Sequence, residues 1–157
     1  MSQGVGLVRQ KIALGEPLLV DLFGGTTSQI LDAINVDCVA ESGIKASVED
    51  LGQIFPPGSV SEIVVSGPQS PFLEQAAMIL KPGGRIYINA TKGNPFGKVP
   101  DPTTRKNLGD TALVQLGLQV VQLKGQLEAR FTHQTFRRTT GEVIRTRSVT
   151  TTILEKV

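Results

Sequence analysis

The segment from Leu18 to Gly25, LLVDLFGG, constrains the fold of this chain more than any other stretch. Its near-continuous apolar run predicts a strand covered on both faces, and its glycines predict a tight turn that opens a helix over 26–34. A second apolar run, 36–41, ends at Glu41. Glycines at such a turn let the backbone approach a ligand, and a carboxylate ending the second strand accepts hydrogen bonds from ribose hydroxyls. The pattern therefore predicts a parallel α/β sheet that binds a nucleoside cofactor.

Length and composition are those of an ordinary globular chain. With 157 residues, 39% of them hydrophobic and 19% charged, the chain is expected to form one domain over 1–157 with a sizeable core. It contains no run of about 18 apolar residues, the length that a membrane span needs, and it begins without the apolar core of a signal peptide. We therefore expect no membrane partner and a cytoplasmic protein, or a domain excised from a larger polypeptide, including a secreted one.

Cysteine and histidine each occur once, which limits the metal-binding sites and the nucleophilic or acid–base catalysis that these side chains could support. The single Cys38 excludes an internal disulfide and any multi-cysteine metal site, and we interpret it as a small core residue of the second strand. His133 follows Phe131 in a Thr-rich segment. A histidine suits general-base work, but a partly exposed strand histidine is the plainer interpretation. We assign no catalytic residue and no metal site.

The two halves of the chain differ strongly in charge. Residues 1–80 contain nine acidic and three basic residues, whereas residues 81–157 contain five acidic and thirteen basic ones. A basic half can attract a polyanionic partner, although dispersed, solvated charges explain the same count. The weak candidates for substrate or partner contact are a loop asparagine and four arginines around a predicted hairpin turn at 139–141, of which the last two share a face by strand periodicity: Asn94, Arg137, Arg138, Arg145 and Arg147.

Turn signals and apolar periodicity divide the rest of the chain into further elements. A short edge strand is predicted over 44–48, a fourth strand over 62–66 and a fifth over 85–90. Helices are predicted from Ser70 and Pro71 to the LKPGG segment at 80–84, and over 103–116. The alternating pattern over 119–157 is typical of antiparallel strands.

In this order the segments resemble class I S-adenosylmethionine-dependent methyltransferases. The resemblance is carried by LLVDLFGG, by VEDLGQIFPPGSVSEIVVS at 48–66, by AMILKPGGRIYINA at 77–90 and by the terminal TTTILEKV, and it spans roughly 17–157. It implies a doubly wound, mostly parallel sheet of about seven strands that ends in an antiparallel hairpin. It also implies S-adenosylmethionine as the cofactor.

The resemblance further implies which residues contact the cofactor: Asp21, Phe23, Gly24, Gly25, Glu41, Asp50 and Ser66. Asp21 either faces the cofactor or caps the adjacent turn. Glu41 corresponds to the family's ribose ligand, and Asp50 to a ligand of the adenine amino group, with Glu49 as a competitor and a helix or turn cap as the alternative for Asp50.

The chain also departs from the family pattern. The glycine turn lacks its third glycine, the helix after the second strand is missing, and the SGPQ segment at 66–69 has no adjacent aromatic ring. Two hypotheses remain open. One is a methyltransferase of unknown acceptor. The other is a degenerate binding module, such as a toxin or effector domain of a larger protein, that engages a protein or nucleic-acid partner through its basic C-terminal half.

Overall fold

The computed structural model describes residues 2–97, 110–137 and 140–157. These residues form nine strands: β1 Leu19–Leu22, β2 Ile34–Asp37, β3 Ile44–Lys45, β4 Val60–Ser66, β5 Leu80–Thr91, β6 Leu118–Gln126, β7 Phe136–Arg137, β8 Val143–Ile144 and β9 Val149–Lys156. Seven of the strands form one sheet in the order β3-β2-β1-β4-β5-β9-β6, and β7 pairs with β8 separately. Pairing is parallel from β3 to β5 and antiparallel on both sides of β9. The predicted α/β fold, a mostly parallel sheet of seven strands with an antiparallel C-terminal hairpin, is confirmed.

Four helices cover one face of this sheet. They are α1 Ser2–Ala13, α2 Leu51–Ile54, α3 Leu73–Ile79 and α4 Asp110–Gln115. Each contributes to one apolar core with the sheet, through Val8, Leu51, Ala76 and Leu113 in that order. The third helix begins later than predicted, with Phe72 at its cap. Of the helix predicted over 103–116, the segment 103–109 lies outside the described residues. None of the helices described is long and apolar enough to cross a membrane.

In the described part of the chain, the opposite face of the sheet carries none of the helices that usually join parallel strands. The predicted helix over 26–34 is wrong, because residues 23–33 form a turn-rich connection from β1 to β2. Polar side chains in this connection compete with helical hydrogen bonds: the backbone N–H of Ile30 donates to Ser28 Oγ. Residues 38–43 join β2 to β3 without a helix, as the sequence predicted.

The second strand is shorter than expected. It ends at Asp37 rather than at Glu41, because the backbone N–H of Ala40 turns back to the carbonyl of Asp37. The interpretation of Cys38 as a core residue is wrong, since this side chain is exposed in that turn.

A long segment between β6 and β9 covers the helix-free face instead. It contains a 3₁₀ turn, Ala129–Phe131, and the β7–β8 hairpin, and together with the sheet it buries a second apolar cluster: Val64, Tyr87, Leu127, Phe131, Phe136, Val149 and Ile153. The guanidinium of Arg130 lies 4.5 Å from the centroids of the Tyr87 and Phe131 rings. The strands predicted within 119–157 are confirmed at both ends and for the hairpin. His133, however, is exposed in a turn. Arg145 caps the 3₁₀ turn Thr146–Ser148 and Arg147 lies within it, so strand periodicity does not apply to these two arginines.

Candidate functional site

A large cleft opens at the carboxyl ends of β1, β2, β4 and β5. Its volume is about 1250 Å³, and its walls are the turn after β1, residues 37–39, residues 66–69, the loop after β5 and the segment from Gln134 to Arg137. In open parallel sheets this edge is where ligands bind, because the connections there diverge to opposite faces. Because residues 134–137 belong to the segment that covers the helix-free face, that segment forms one wall of the cleft.

The turn after β1 admits only glycine at its centre. A Cβ atom on Gly24 would meet Asn35 Oδ1 and would lie 2.6 Å from Asp21 Oδ2. Asn35 is buried, and its amide donates to the carbonyls of Gly25 at 2.8 Å and Ser42 at 3.2 Å. Phe23 and Gly25 have φ values of 64° and 82°. The turn is therefore held rigidly, with Phe23, Gly24 and Gly25 lining the cleft.

Asp37 supplies the carboxylate at the end of the second strand. Its Oδ2 accepts from the backbone N–H of Gly25 at 2.9 Å, and its Oδ1 accepts from that of Val39 at 3.1 Å. The side chain is half-buried and lines the cleft. Glu41 lies four residues further on and is exposed, with its backbone N–H bound to Thr26 O, and it does not line the cleft.

Asp21 lies beneath the cleft and does not line it. Its carboxylate is fully buried and accepts hydrogen bonds from Ser28 Oγ at 2.6 Å and Ser66 Oγ at 3.1 Å. Burial raises the pKa of Asp21 above its ordinary value, the two hydroxyl donors oppose that rise, and the charge of nearby Asp37 adds to it. The geometry matches the turn-capping alternative, because the carboxylate ties the β1–β2 connection to β4.

Asp50 is also held by local hydrogen bonds. Its Oδ2 accepts from the backbone N–H and the hydroxyl of Ser47, both at 3.1 Å, in a capping box that begins the turn before α2. The structure does not bring it to the cleft.

The remaining sequence candidates divide in the same way. Ser66, Asn94 and Arg137 line the cleft, whereas Arg145 and Arg147 do not, and Arg138 lies outside the described residues. Asn94 Nδ2 donates to the Pro68 carbonyl at 3.0 Å, which ties the loop after β5 to the end of β4. Arg137 Nη1 donates to the carbonyl of Gly141 across the hairpin.

No protein-family model matches the chain, and no curated protein matches it in sequence. Several solved structures match its fold. The 16S rRNA (adenine(1408)-N(1))-methyltransferase from Catenulisporales acidiphilia has a TM-score of 0.62 at 15% identity, over 98% of this chain and 93% of that one. The aminoglycoside resistance methyltransferase NpmB1 gives 0.58 at 14%, over the same shares of the two chains. The chain has the class I S-adenosylmethionine-dependent methyltransferase-like fold. The likeness is one of fold.

Within this methyltransferase-like fold, the cleft residues that the sequence did not single out include three buried or half-buried polar ones: Asp37, Asn89 and Gln134. Asp37 carried a visible signal, because it is the first carboxylate after the apolar core of the second strand. Asn89 and Gln134 carried none, since their positions in the cleft depend on contacts with Thr151 and Ser66, which lie more than sixty residues away in the sequence.

Proposed function

We propose that this protein binds S-adenosylmethionine in the cleft and transfers its methyl group to an acceptor that enters the same cleft. The observation that carries the proposal is the pairing of the glycine turn with Asp37 at the carboxyl ends of β1 and β2. A variant of the Catenulisporales acidiphilia enzyme, with a TM-score of 0.55 at 17% identity, was solved with its cosubstrate SAM, which supports this choice of cofactor.

The chemistry of the cleft residues fits this cofactor. A carboxylate offers about four lone-pair positions. Two backbone N–H groups and the Cys38 thiol donate to Asp37, and since only the Gly25 N–H among them donates to Oδ2, that oxygen keeps an acceptor position for a ribose hydroxyl. Cys38 and Val39, which are exposed beside Asp37, offer a surface for the adenine ring. The backbone of Gly24 and Gly25 can approach the methionine part because no side chain stands there. This assignment replaces Glu41 by Asp37 as the proposed ribose ligand.

The expected contribution of the protein to catalysis is alignment. When bound, S-adenosylmethionine supplies an electrophilic methyl group on a sulfonium. Transfer of that group requires the acceptor lone pair to lie in line with it, which a rigid cleft achieves by positioning. The Asp21–Ser66 hydrogen bond and the Asn94–Pro68 hydrogen bond fix the two sides of the β4 end, where the acceptor would have to lie.

Calorimetry with S-adenosylhomocysteine tests the proposal. We expect the wild-type protein to bind it, and Asp37→Asn to lower the affinity about 10- to 100-fold, because a hydrogen bond to a charged group contributes about 1.5–3 kcal/mol. Glu41→Gln is the matched control and should bind like the wild type. If the wild-type protein does not bind S-adenosylhomocysteine at millimolar concentration, the proposed cofactor is wrong and the partner-binding module is favoured. An equal loss in Glu41→Gln would remove the role given to Asp37.

A further inference from the structure

Two buried amide side chains on the floor of the cleft each keep one polar atom without a partner. Asn89 on β5 has no exposed surface, and Gln134, just before β7, is 5% exposed. Among the described residues, neither Asn89 Nδ2 nor Gln134 Oε1 has a hydrogen-bond partner. Both residues line the cleft. Because a buried polar group without a partner loses the hydrogen bonds that it made to water, the two amides favour a ligand that supplies those bonds.

Neighbouring hydroxyls fix which atom of each amide stays unpaired. Thr151 Oγ1 donates to Asn89 Oδ1 at 2.6 Å, so the Asn89 amide presents its N–H groups elsewhere. Gln134 Nε2 donates to Ser66 Oγ at 3.1 Å, and Ser66 gives its own hydrogen to Asp21. If the Asn89 amide were flipped, the Thr151 hydroxyl hydrogen would lose its acceptor. If the Gln134 amide were flipped, its carbonyl oxygen would face the oxygen of Ser66, whose hydrogen is already donated to Asp21.

The two unpaired atoms belong to residues that both adjoin Ser66, at the end of β4. Ser66 pairs in register with Asn89 on the adjacent strand, and Gln134 reaches the same Ser66 from the segment that covers the helix-free face. One unpaired donor and one unpaired acceptor are therefore found on two neighbours of Ser66. The cleft of about 1250 Å³ exceeds the roughly 300–1,000 Å³ of a typical single-ligand site, which leaves room for a second reactant beside a cofactor.

We propose that Asn89 and Gln134 form an acceptor subsite for a group of the form H₂N–C=X, where X is oxygen or nitrogen. Asn89 Nδ2 donates to X, and Gln134 Oε1 accepts from the amino group. Primary carboxamides and amino-substituted nucleobases share this edge. That the bound amino nitrogen is the one methylated rests on the proposed function; the binding itself does not.

Small probes test the subsite on the full chain by saturation-transfer NMR and calorimetry, with and without saturating S-adenosylhomocysteine. Nicotinamide represents the carboxamides, with 3-acetylpyridine as its control, in which a methyl group replaces the amino group. Cytidine represents the amino nucleobases, with its 4-deamino analogue as control. We expect at least one amino probe to bind at least tenfold more tightly than its control, and the arm that binds identifies the source of the group.

Substitutions then locate the binding. Gln134→Met preserves size and removes the acceptor, and Asn89→Asp keeps the Thr151 bond while replacing the donor by an acceptor; each should weaken the probe at least tenfold. Gln122→Met is the matched control, because Gln122 on β6 loses one hydrogen bond of 2.9 Å, to the Thr151 carbonyl, and does not line the cleft. Thermal unfolding checks that each variant folds. If the Gln134 variant does not fold, the result for the Asn89 variant decides the test.

The outcomes separate this subsite from the cofactor proposal. Binding of S-adenosylhomocysteine without binding of any amino probe would overturn the subsite alone, and would mean that internal water satisfies the two amides. Probe binding that survives in both variants would also overturn it. Loss of probe binding in both variants, with the Gln122 control unchanged, supports the subsite even if S-adenosylhomocysteine does not bind.

Discussion

The two faces of one sheet have opposite characters in this protein. On β1, Val20 and Leu22 point into the core beneath the four helices, whereas Asp21 between them points to the opposite face. On the same face, Asn35 on β2 and Asn89 on β5 are further buried polar residues. One face is a plain hydrophobic core, and the other buries hydrogen-bonding groups beneath the cleft.

The difference shows how the fold separates stability from binding. The helices cover their face with side chains whose contacts are apolar and non-directional. The turn-rich β1–β2 connection and the described residues of the segment 127–148 cover the other face with less apolar surface. Hydroxyl and amide side chains pair many, but not all, of the polar atoms that are buried there. We therefore expect substitutions on the helical face to change the free energy of unfolding, and substitutions on the polar face to change ligand binding.

The largest effect is expected for Phe55→Ala on the helical face. Phe55 is fully buried, so its truncation should lower the free energy of unfolding by about 3–5 kcal/mol in urea denaturation. Affinity for S-adenosylhomocysteine per folded molecule should not change. Leu31→Ala is the control, since Leu31 is 86% exposed and its loss should stay within about 0.5 kcal/mol. A loss of binding in the folded Phe55 variant would break the separation between the faces.

Gly24→Ala should give the next largest effect, and on binding. The added methyl group would push Asn35 and Asp21 apart, displacing the glycine turn at a cost of about 1–3 kcal/mol. Binding of S-adenosylhomocysteine should weaken by about tenfold or more. Gly93→Ala is the matched control in the same cleft, because a Cβ there meets nothing within 4 Å and its φ is not in the left-handed region. Equal affinities of the two variants would contradict the role of the turn.

Sequence patterns predicted the apolar face better than the polar one. Strand periodicity and the LKPGG segment indicated β1, β4, β5 and β9, because an apolar strand is a local signal; β5 nevertheless begins at Leu80, within LKPGG, rather than at the predicted residue 85. In the VDCVAE run the strand ends at Asp37, where the N–H of Ala40 donates to the Asp37 carbonyl and the N–H of Val39 donates to Asp37 Oδ1. The aspartate itself is the one local signal of this turn, because its side chain can accept from the backbone two residues on. The spacing of Ile30, Leu31 and Ile34 suits a helix, yet Leu31 is exposed and Asp32 has a φ of 63°.

The polar face escaped sequence analysis because its contacts are long-range. Gln134 reaches Ser66 across 68 residues, and Thr151 reaches Asn89 across 62. Amide and hydroxyl residues are common on protein surfaces, so the sequence alone does not mark the few that become buried. The prediction of Glu41 as the acidic residue depended on where the second strand ends, and the structure ends that strand four residues earlier, at Asp37.

The smallest predicted effect is a change in the pH dependence of stability. Because the pKa of Asp21 is raised in the folded protein, the folded state holds a proton that the unfolded state has already lost, over the interval from the ordinary aspartate value up to the raised one. The free energy of unfolding should therefore fall as pH rises through this interval, and the loss should persist above it. In Asp21→Asn that fall should be smaller, as measured by urea denaturation at a series of pH values from 4 to 7.

Ser28→Ala provides the opposing variant for the same measurement. It removes the shorter of the two hydroxyl hydrogen bonds to Asp21, one that lowers the pKa of the carboxyl, so the interval should extend to higher pH. Opposite shifts in the two variants would assign the pH dependence to the polar face beneath the cleft. If both variants show the wild-type dependence of the free energy of unfolding on pH, then Asp21 makes no measurable contribution to that dependence. The two faces of the sheet would then not differ in the pH dependence of their contribution to stability.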